Sequence, residues 1–255
     1  MTVQKRDILN FLKYGYVKIG FREQIGIASL RAELVHEIEN YLNIQGCTSK
    51  ITSLDQLHQV FKGSSINELR MHLINWINNR KNVNTVLIDE SVLSLANEIL
   101  GKDLLIQKRV NLVLQRPNDE DNSETHRDFP ANSAFEIVVW IPLVDCDEKM
   151  SIYLADKELS LVYTKRLRQS KGSDWSEVRS EIERNATTVP VRYGEVLIFM
   201  TPLFHGSRIN ESESTRVSLN LRMKGLFSPS GLKDSYDFWD IYRLSPFSKS
   251  CLDFI

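Results

Sequence analysis

The sequence predicts a mainly β fold with N-terminal helices, and three observations carry that prediction. Apolar residues recur at helical spacing up to about residue 103, and short runs of strand character then dominate from residue 104 to 224. In addition, 255 residues with 42% hydrophobic side chains are enough for one large core. The whole span 1–255 is therefore expected to form one unit. Residues 1–103 would be mainly helical support, 104–224 the β core with an insertion at 159–187, and 225–255 a C-terminal segment.

In chain order, Ile8, Phe11 and Leu12 share one face of a short helix that Gly15 stops, and Tyr16 to Ile19 enters an edge strand. Leu30, Leu34, Ile38 and Leu42 recur every four residues, which predicts a second helix with Glu33, Glu37 and Glu39 largely solvated. Residues 53–80 read as helical too, and His36, His58 and His72 in this portion read as surface or packing residues. A further helix runs from Asp89, a side chain suited to capping, through Val92, Leu95, Ala96 and Ile99 to Gly101. The strands expected next are Leu104–Gln115, Phe135–Leu143, Ser151–Leu154, Val189–Arg192, Glu195–Met200 and Arg216–Met223. Between Leu159 and Thr187 the basic cluster Lys165, Arg166, Arg168 and Lys171 precedes Trp175 and a helix through Ile182. That stretch is either a solvated insertion or a lid over substrate.

Chemistry concentrates in His126-Arg127-Asp128, His205 and Arg216-Val217-Ser218. Residues i and i+2 of a strand project to the same face, so His126 and Asp128 can chelate one ion while Arg127 points away. His205, just beyond the strand Glu195–Met200, can supply a second imidazole. Two neutral imidazoles and one carboxylate leave the opposite metal positions open, as in non-haem Fe(II) sites. His-Arg-Asp also occurs in protein kinases, but no glycine-rich nucleotide loop precedes it and no Asp-Phe-Gly follows at a suitable distance. Arg216, Ser218, Asn220 and Arg222 alternate with Val217, Leu219 and Leu221, so the polar set shares one face. A guanidinium beside a hydroxyl can clamp a carboxylate through a two-pronged fork and a third hydrogen bond. Short strands beside these residues suit a double-stranded β-helix, the jelly-roll, cupin-like core, with the preceding helices buttressing one sheet.

With its HxD pair, distal histidine and an arginine eleven residues further on as Arg-x-Ser, the chain resembles the Fe(II)/2-oxoglutarate-dependent oxygenases, most nearly the phytanoyl-CoA dioxygenase-like group. The resemblance is best from Leu104 to Lys224, and Phe11 to Ile19 is similar to that group's opening helix and strand. It implies that His126, Asp128 and His205 hold Fe(II). It also implies that Arg216 with Ser218 anchors the far carboxylate of 2-oxoglutarate, and that dioxygen is the other co-substrate. A substrate C–H bond would be oxidised, most simply hydroxylated. Asp128, where halogenating relatives carry a small residue, argues against halogenation. After Trp140-Ile141-Pro142-Leu143 the chain departs from the group, with Met150 to Glu158 where many relatives have a glycine-started strand and a Pro-Gly-Ser-His turn. The group's substrates therefore do not carry over.

A net charge of −1 gives no general attraction to nucleic acid or to an anionic membrane. No apolar run reaches the ~18 residues of a membrane helix, and the N-terminus has no signal-peptide core. Cys47, Cys146 and Cys251 lie far apart without CxxC pairing, which fits a reducing cytoplasm. Arg109, Asn111 and Gln115 fall on one strand face, and Asn220 and Arg222 continue the Arg216 face. If these point inward they form a polar pocket for a small hydroxylated or anionic metabolite, such as a sugar derivative or natural-product intermediate; an outward orientation is equally allowed. A protein or peptide hydroxylase would keep every motif, and a cupin-like metal isomerase or binding protein would share the core without needing the Arg216/Ser218 clamp.

Overall fold

The strand alternation read from 216 onward sets the middle of the molecule. A computed structural model describes residues 4–61, 65–81, 83–119, 123–232, 237–252 and 254. Its helices are α1 (Lys5–Tyr14), α2 (Ile25–Ile44), α3 (Leu57–Val60), α4 (Ser65–Asn78), α5 (Val83–Leu87), α6 (Glu90–Leu100), α7 (Lys157–Gln169), α8 (Trp175–Asn185) and α9 (Pro246–Leu252). Its strands are β1 (Tyr16–Gly20), β2 (Leu104–Gln107), β3 (Asn111–Gln115), β4 (Glu136–Pro142), β5 (Ile152–Leu154), β6 (Thr187–Thr188), β7 (Glu195–Met200), β8 (His205–Ser207), β9 (Arg216–Gly225) and β10 (Trp239–Arg243).

A large antiparallel sheet runs β1-β7-β4-β9-β2-β10, with β3 also on β9, and a smaller sheet runs β6-β5-β8. Together they make the double-stranded β-helix core expected of the sequence. β4 lies between β7 and β9 and is buried at every position, with Ile137, Val139 and Ile141 in the apolar core that the helices share. Val217, Leu219 and Leu221 of β9 join the same core as Leu30, Leu34 and Ile38 of α2 and Leu69 and Leu73 of α4, so helices and sheet share one apolar interior. Of the described residues about 41% are helical and 22% strand, since the supporting helices are long and the strands short.

Local chemistry sets the boundaries. Gly15 takes a left-handed backbone (φ +80°) that ends α1 and turns the chain into β1. Asp89 caps α6 by accepting from the backbone N–H groups of Ser91 and Val92 at 3.0 and 3.1 Å. Where one strand was expected from Leu104 to Gln115, the ladder breaks at 108–110. There the Asn78 side chain binds both backbone groups of Val110, and Lys108 N–H donates to Phe238 O, so neither residue pairs with β9. No strand forms at the expected Val189–Arg192, which follows the short β6 and holds an isolated bridge from Val191 to Cys146. β10, inside the stretch treated as a C-terminal segment, adds an edge to the large sheet through β2. Among the described residues no helix is long and apolar enough to cross a membrane.

Candidate metal and co-substrate site

His126 and His205 are joined before their side chains meet anything. His126 N–H donates to His205 O and His205 N–H to His126 O, both at 2.9 Å. An antiparallel pair that exchanges both bonds directs its two side chains to one side, and the imidazole centroids lie 4.3 Å apart. His205 opens β8, whereas His126 holds only this bridge and lies in no regular strand. The i, i+2 relation to Asp128 thus survives without the strand first expected around it.

Nδ1 of His126 lies 2.8 Å from Glu124 O, and Nδ1 of His205 lies 2.9 Å from Leu203 O. A carbonyl can only accept, so each Nδ1 carries the proton and each Nε2 presents a lone pair. One ligand atom from each of His126, Asp128 and His205 comes within 4.8 Å of the others, a spread compatible with ~2 Å bonds to a common ion. Burial, reinforced by His126, pushes the His205 imidazolium pKa down to about 4, which leaves the ring neutral and able to ligate near pH 7. Burial raises the Asp128 carboxyl, but Arg222 and both histidines outweigh it and the net shift is downward, which keeps the carboxylate ionised. The Phe199 ring meets the His205 ring edge-on at 4.8 Å and packs it in place.

A cavity of about 190 Å³ opens beside these three residues, walled by Asn111, Trp140, Phe199, Gly206, Arg216, Asn220 and Arg222 among others. Gly206 is required here, since a Cβ would come 2.5 Å from Tyr153 Oη and 2.8 Å from Ser123 O. Arg216 is only 2% exposed; its Nη1 donates to Met150 O at 3.1 Å, and its Nε has no partner among the described residues. Ser218 Oγ, two residues along β9 and fully buried, also has no partner among the described residues. Burial lowers the Arg216 guanidinium to about 10, still a cation at neutral pH. Buried donors are rarely left unpaired, so this pair is suited to receiving an anion. The donor set suits a metal with a chelating acid beside it.

Not every polar residue on the expected faces reaches the cavity. Asn111 and Asn220 do, as cross-strand partners. Arg222 does as well, but it is held by Asp128, with Nη2–Oδ1 2.8 Å and Nε–Oδ2 3.3 Å, and donates from Nη1 to Gln107 Oε1. Arg109 falls in the break between β2 and β3, is exposed, and donates to Asn75 Oδ1 at 3.2 Å, so it leaves the expected set. Gln115 leaves it too: it is buried at the end of β3 and its Nε2 donates to Arg208 O at 2.8 Å, a bond that ties down the loop after β8. The tie between Asp128 and Arg222, 94 residues apart, carries no local sequence signal.

The insertion is a helical hairpin. Val178 and Ile182 of α8 are fully buried with Tyr163 of α7 against Tyr153 and Phe204, forming a small core of their own. On its inner side lies a wider, open-mouthed hollow of about 630 Å³, walled by His126, Arg127, Phe129, Arg168, Trp175 and Phe204 among others. Arg127 does point away from the triad: its guanidinium lies 4.7 Å from the Phe204 ring centre and donates to Thr164 Oγ1.

No curated protein matches the chain at the sequence level. Among solved structures, the non-haem α-ketoglutarate-dependent carbocyclase SnoK from nogalamycin biosynthesis superposes with a TM-score of 0.59 at 14% identity, over 91% of this chain and 88% of that one. EctD from S. alaskensis gives 0.60 at 14% identity, over 94% and 84%. HygX from Streptomyces hygroscopicus, with nickel and 2-oxoglutarate bound, gives 0.55 at 14% identity, over 90% of each chain. At such identities the likeness is one of fold. The sequence model of the phytanoyl-CoA dioxygenase family matches residues 32–218, which take in all three site clusters. By that match the chain belongs to the phytanoyl-CoA dioxygenase family, non-haem enzymes that depend on Fe(II), 2-oxoglutarate and dioxygen.

Proposed function

We propose that this enzyme hydroxylates a C–H bond of a small polar metabolite, with His126, Asp128 and His205 holding Fe(II) and Arg216 with Ser218 anchoring 2-oxoglutarate. The observation that carries the reading is the pair of unpartnered buried donors, Arg216 Nε and Ser218 Oγ, on the strand that lines the triad's cavity. When bound, the metal and its two co-substrates supply the oxidising chemistry: one atom of dioxygen enters the product alcohol, and the other leaves in succinate alongside carbon dioxide.

The chain's own residues do the positioning. Glu124 O and Leu203 O keep both imidazoles turned with Nε2 toward the ion. Arg216 and Ser218 take the far carboxylate and so set the direction in which the acid lies. Val138, Trp140, Ile152 and Phe199 give the cavity apolar sides that limit water around the metal. The α7–α8 hairpin is the wall that covers substrate. Carbocyclase and epimerase relatives of this fold belong to nogalamycin biosynthesis, which favours a natural-product intermediate over a long acyl chain. The unpaired thiols Cys47, Cys146 and Cys251 support a cytoplasmic setting.

Incubating the enzyme with Fe(II), 2-oxoglutarate and dioxygen against pooled metabolites and, separately, pooled peptides tests the reading. Substrate-stimulated succinate release is expected with metabolites. Release with peptides alone would make it a peptide hydroxylase, and none with either would remove the proposed reaction.

A further inference from the structure

The hollow between the His-Arg-Asp segment and the hairpin has a charge arrangement that the metal chemistry does not require. Among the described residues, five acidic side chains from the segments that border it are engaged by arginines outside it. Asp174, Glu177 and Glu181 converge on Arg166 at 2.8, 2.7 and 2.8 Å. Glu124 and Glu183 both go to Arg179, at 3.1 and 2.9 Å. Arg127 and Arg168 face the hollow together, and among the described residues neither has a carboxylate within ion-pairing distance. Like charges in one concavity repel each other unless an anion lies between them.

The rest of the lining includes one partly exposed aromatic surface, Trp175. Trp175 stacks on Phe204 with ring centres 6.1 Å apart and planes at 29°, and Arg127 lies on the Phe204 ring. The Arg127 guanidinium is fixed by that ring and by Thr164, so it is already oriented before a ligand arrives. Its place in the chain is informative too. Arg127 stands between His126 and Asp128, so an anion that it holds is registered to the metal ligands through one peptide unit on either side. His126 itself borders both the hollow and the metal cavity, which makes the two neighbours across one side chain.

We infer that the hollow is a substrate anchor in which Arg127 and Arg168 bind a carboxylate or phosphate while the partly exposed Trp175 ring, backed by Phe204, carries an attached planar apolar body. Its role as substrate site rests on the oxygenase reading above; its ability to bind such an anion does not. Arg127, Arg168 and Trp175 set which molecule is presented, not how it is oxidised, and the volume of about 630 Å³ accommodates a ligand of drug-like size.

The test uses the full chain loaded with Mn(II) and 2-oxoglutarate, with 2-naphthoate and its neutral counterpart 2-naphthamide as probes, read by calorimetry. The wild type is expected to prefer the anion by about tenfold or more. Arg127→Gln and Arg168→Gln should each cut that preference, and the double variant should bring the two probes level. Arg168 is exposed, so its variant reports on binding even if Arg127→Gln disturbs Phe204. Trp175→Ala should weaken both probes alike, and Lys165→Gln, which removes a nearby surface charge outside the hollow, should change neither. Absence of binding, an equal affinity of the wild type for both probes, a preference that survives the double variant, or an equal loss in Lys165→Gln would overturn the anchor. The same calorimeter reports 2-oxoglutarate uptake separately: failure there with the naphthoate preference intact removes the oxygenase reading and leaves the anion site standing.

Discussion

Arg222 was legible as a member of the polar face of β9, but its partner was not. Its ion pair gives the Asp128 carboxylate, the proposed metal ligand, a counter-charge from within the chain. Breaking a buried pair by removing one partner leaves the other charge uncompensated, at a typical cost of ~3–5 kcal/mol. Arg222 keeps some solvent contact, so Arg222→Gln should cost less, about 2–3 kcal/mol in denaturant unfolding without metal. Mn(II) then replaces the missing charge, and ligand binding to the native state adds stability. The thermal shift produced by Mn(II) should therefore be larger in Arg222→Gln than in wild type. Equal shifts would mean that the ion pair does not bear on the carboxylate's availability to metal.

At the scale of elements, the α7–α8 hairpin differs most from what a basic, polar stretch suggests. The residues that pack it, Tyr163, Val178 and Ile182, are spread thinly among charges, and their partners Tyr153 and Phe204 come from β5 and the approach to β8. The stretch alone does not show a core completed from elsewhere, and so it reads as a solvated insertion or a lid. Arg166 locks the two helices through its three carboxylates, while the turn between them holds Lys171 at φ 52°. Trypsin should cut first at Lys171 and not within either helix, because backbone must open locally to be cleaved. Arg166→Ala should speed that cut by roughly threefold or more, since networked ion pairs hold better than single ones. An unchanged rate in the variant, or first cleavage within α7, would show that the ion pairs do not hold the hairpin closed.

Across the whole molecule, the sequence is most readable where a pattern is local and least readable where two distant segments complete each other. Asp89 as a cap, Gly15 as a stop and the alternation from Arg216 to Arg222 are local, and each takes the form expected of it. The break at 108–110 depends on Asn78 from α4, β10 on the free edge of β2, and the removal of Gln115 from the cavity on the loop after β8. None of these partners lies within the windows that periodicity can read. The site sits between these cases. Its residue types and spacings were legible, as were the shared faces, but not the mutual bridge of His126 and His205 or the empty bonding capacity of Arg216 and Ser218. That capacity is the centre of the account, and Mn(II)-dependent binding of 2-oxoglutarate to the wild type, Arg216→Ala, Arg216→Lys and Arg208→Ala tests it most directly. Losing a cationic partner from a buried carboxylate costs ~2–5 kcal/mol, so Arg216→Ala should bind about 30-fold or more weakly. Arg216→Lys should recover only part of the loss, since a point charge lacks the fork. Arg208, turned to Thr188 and Glu183 outside the cavity, should be silent, and Mn(II) affinity should hold throughout. Normal 2-oxoglutarate binding by Arg216→Ala, with the loss appearing in Arg208→Ala or in none of the variants, would contradict the account.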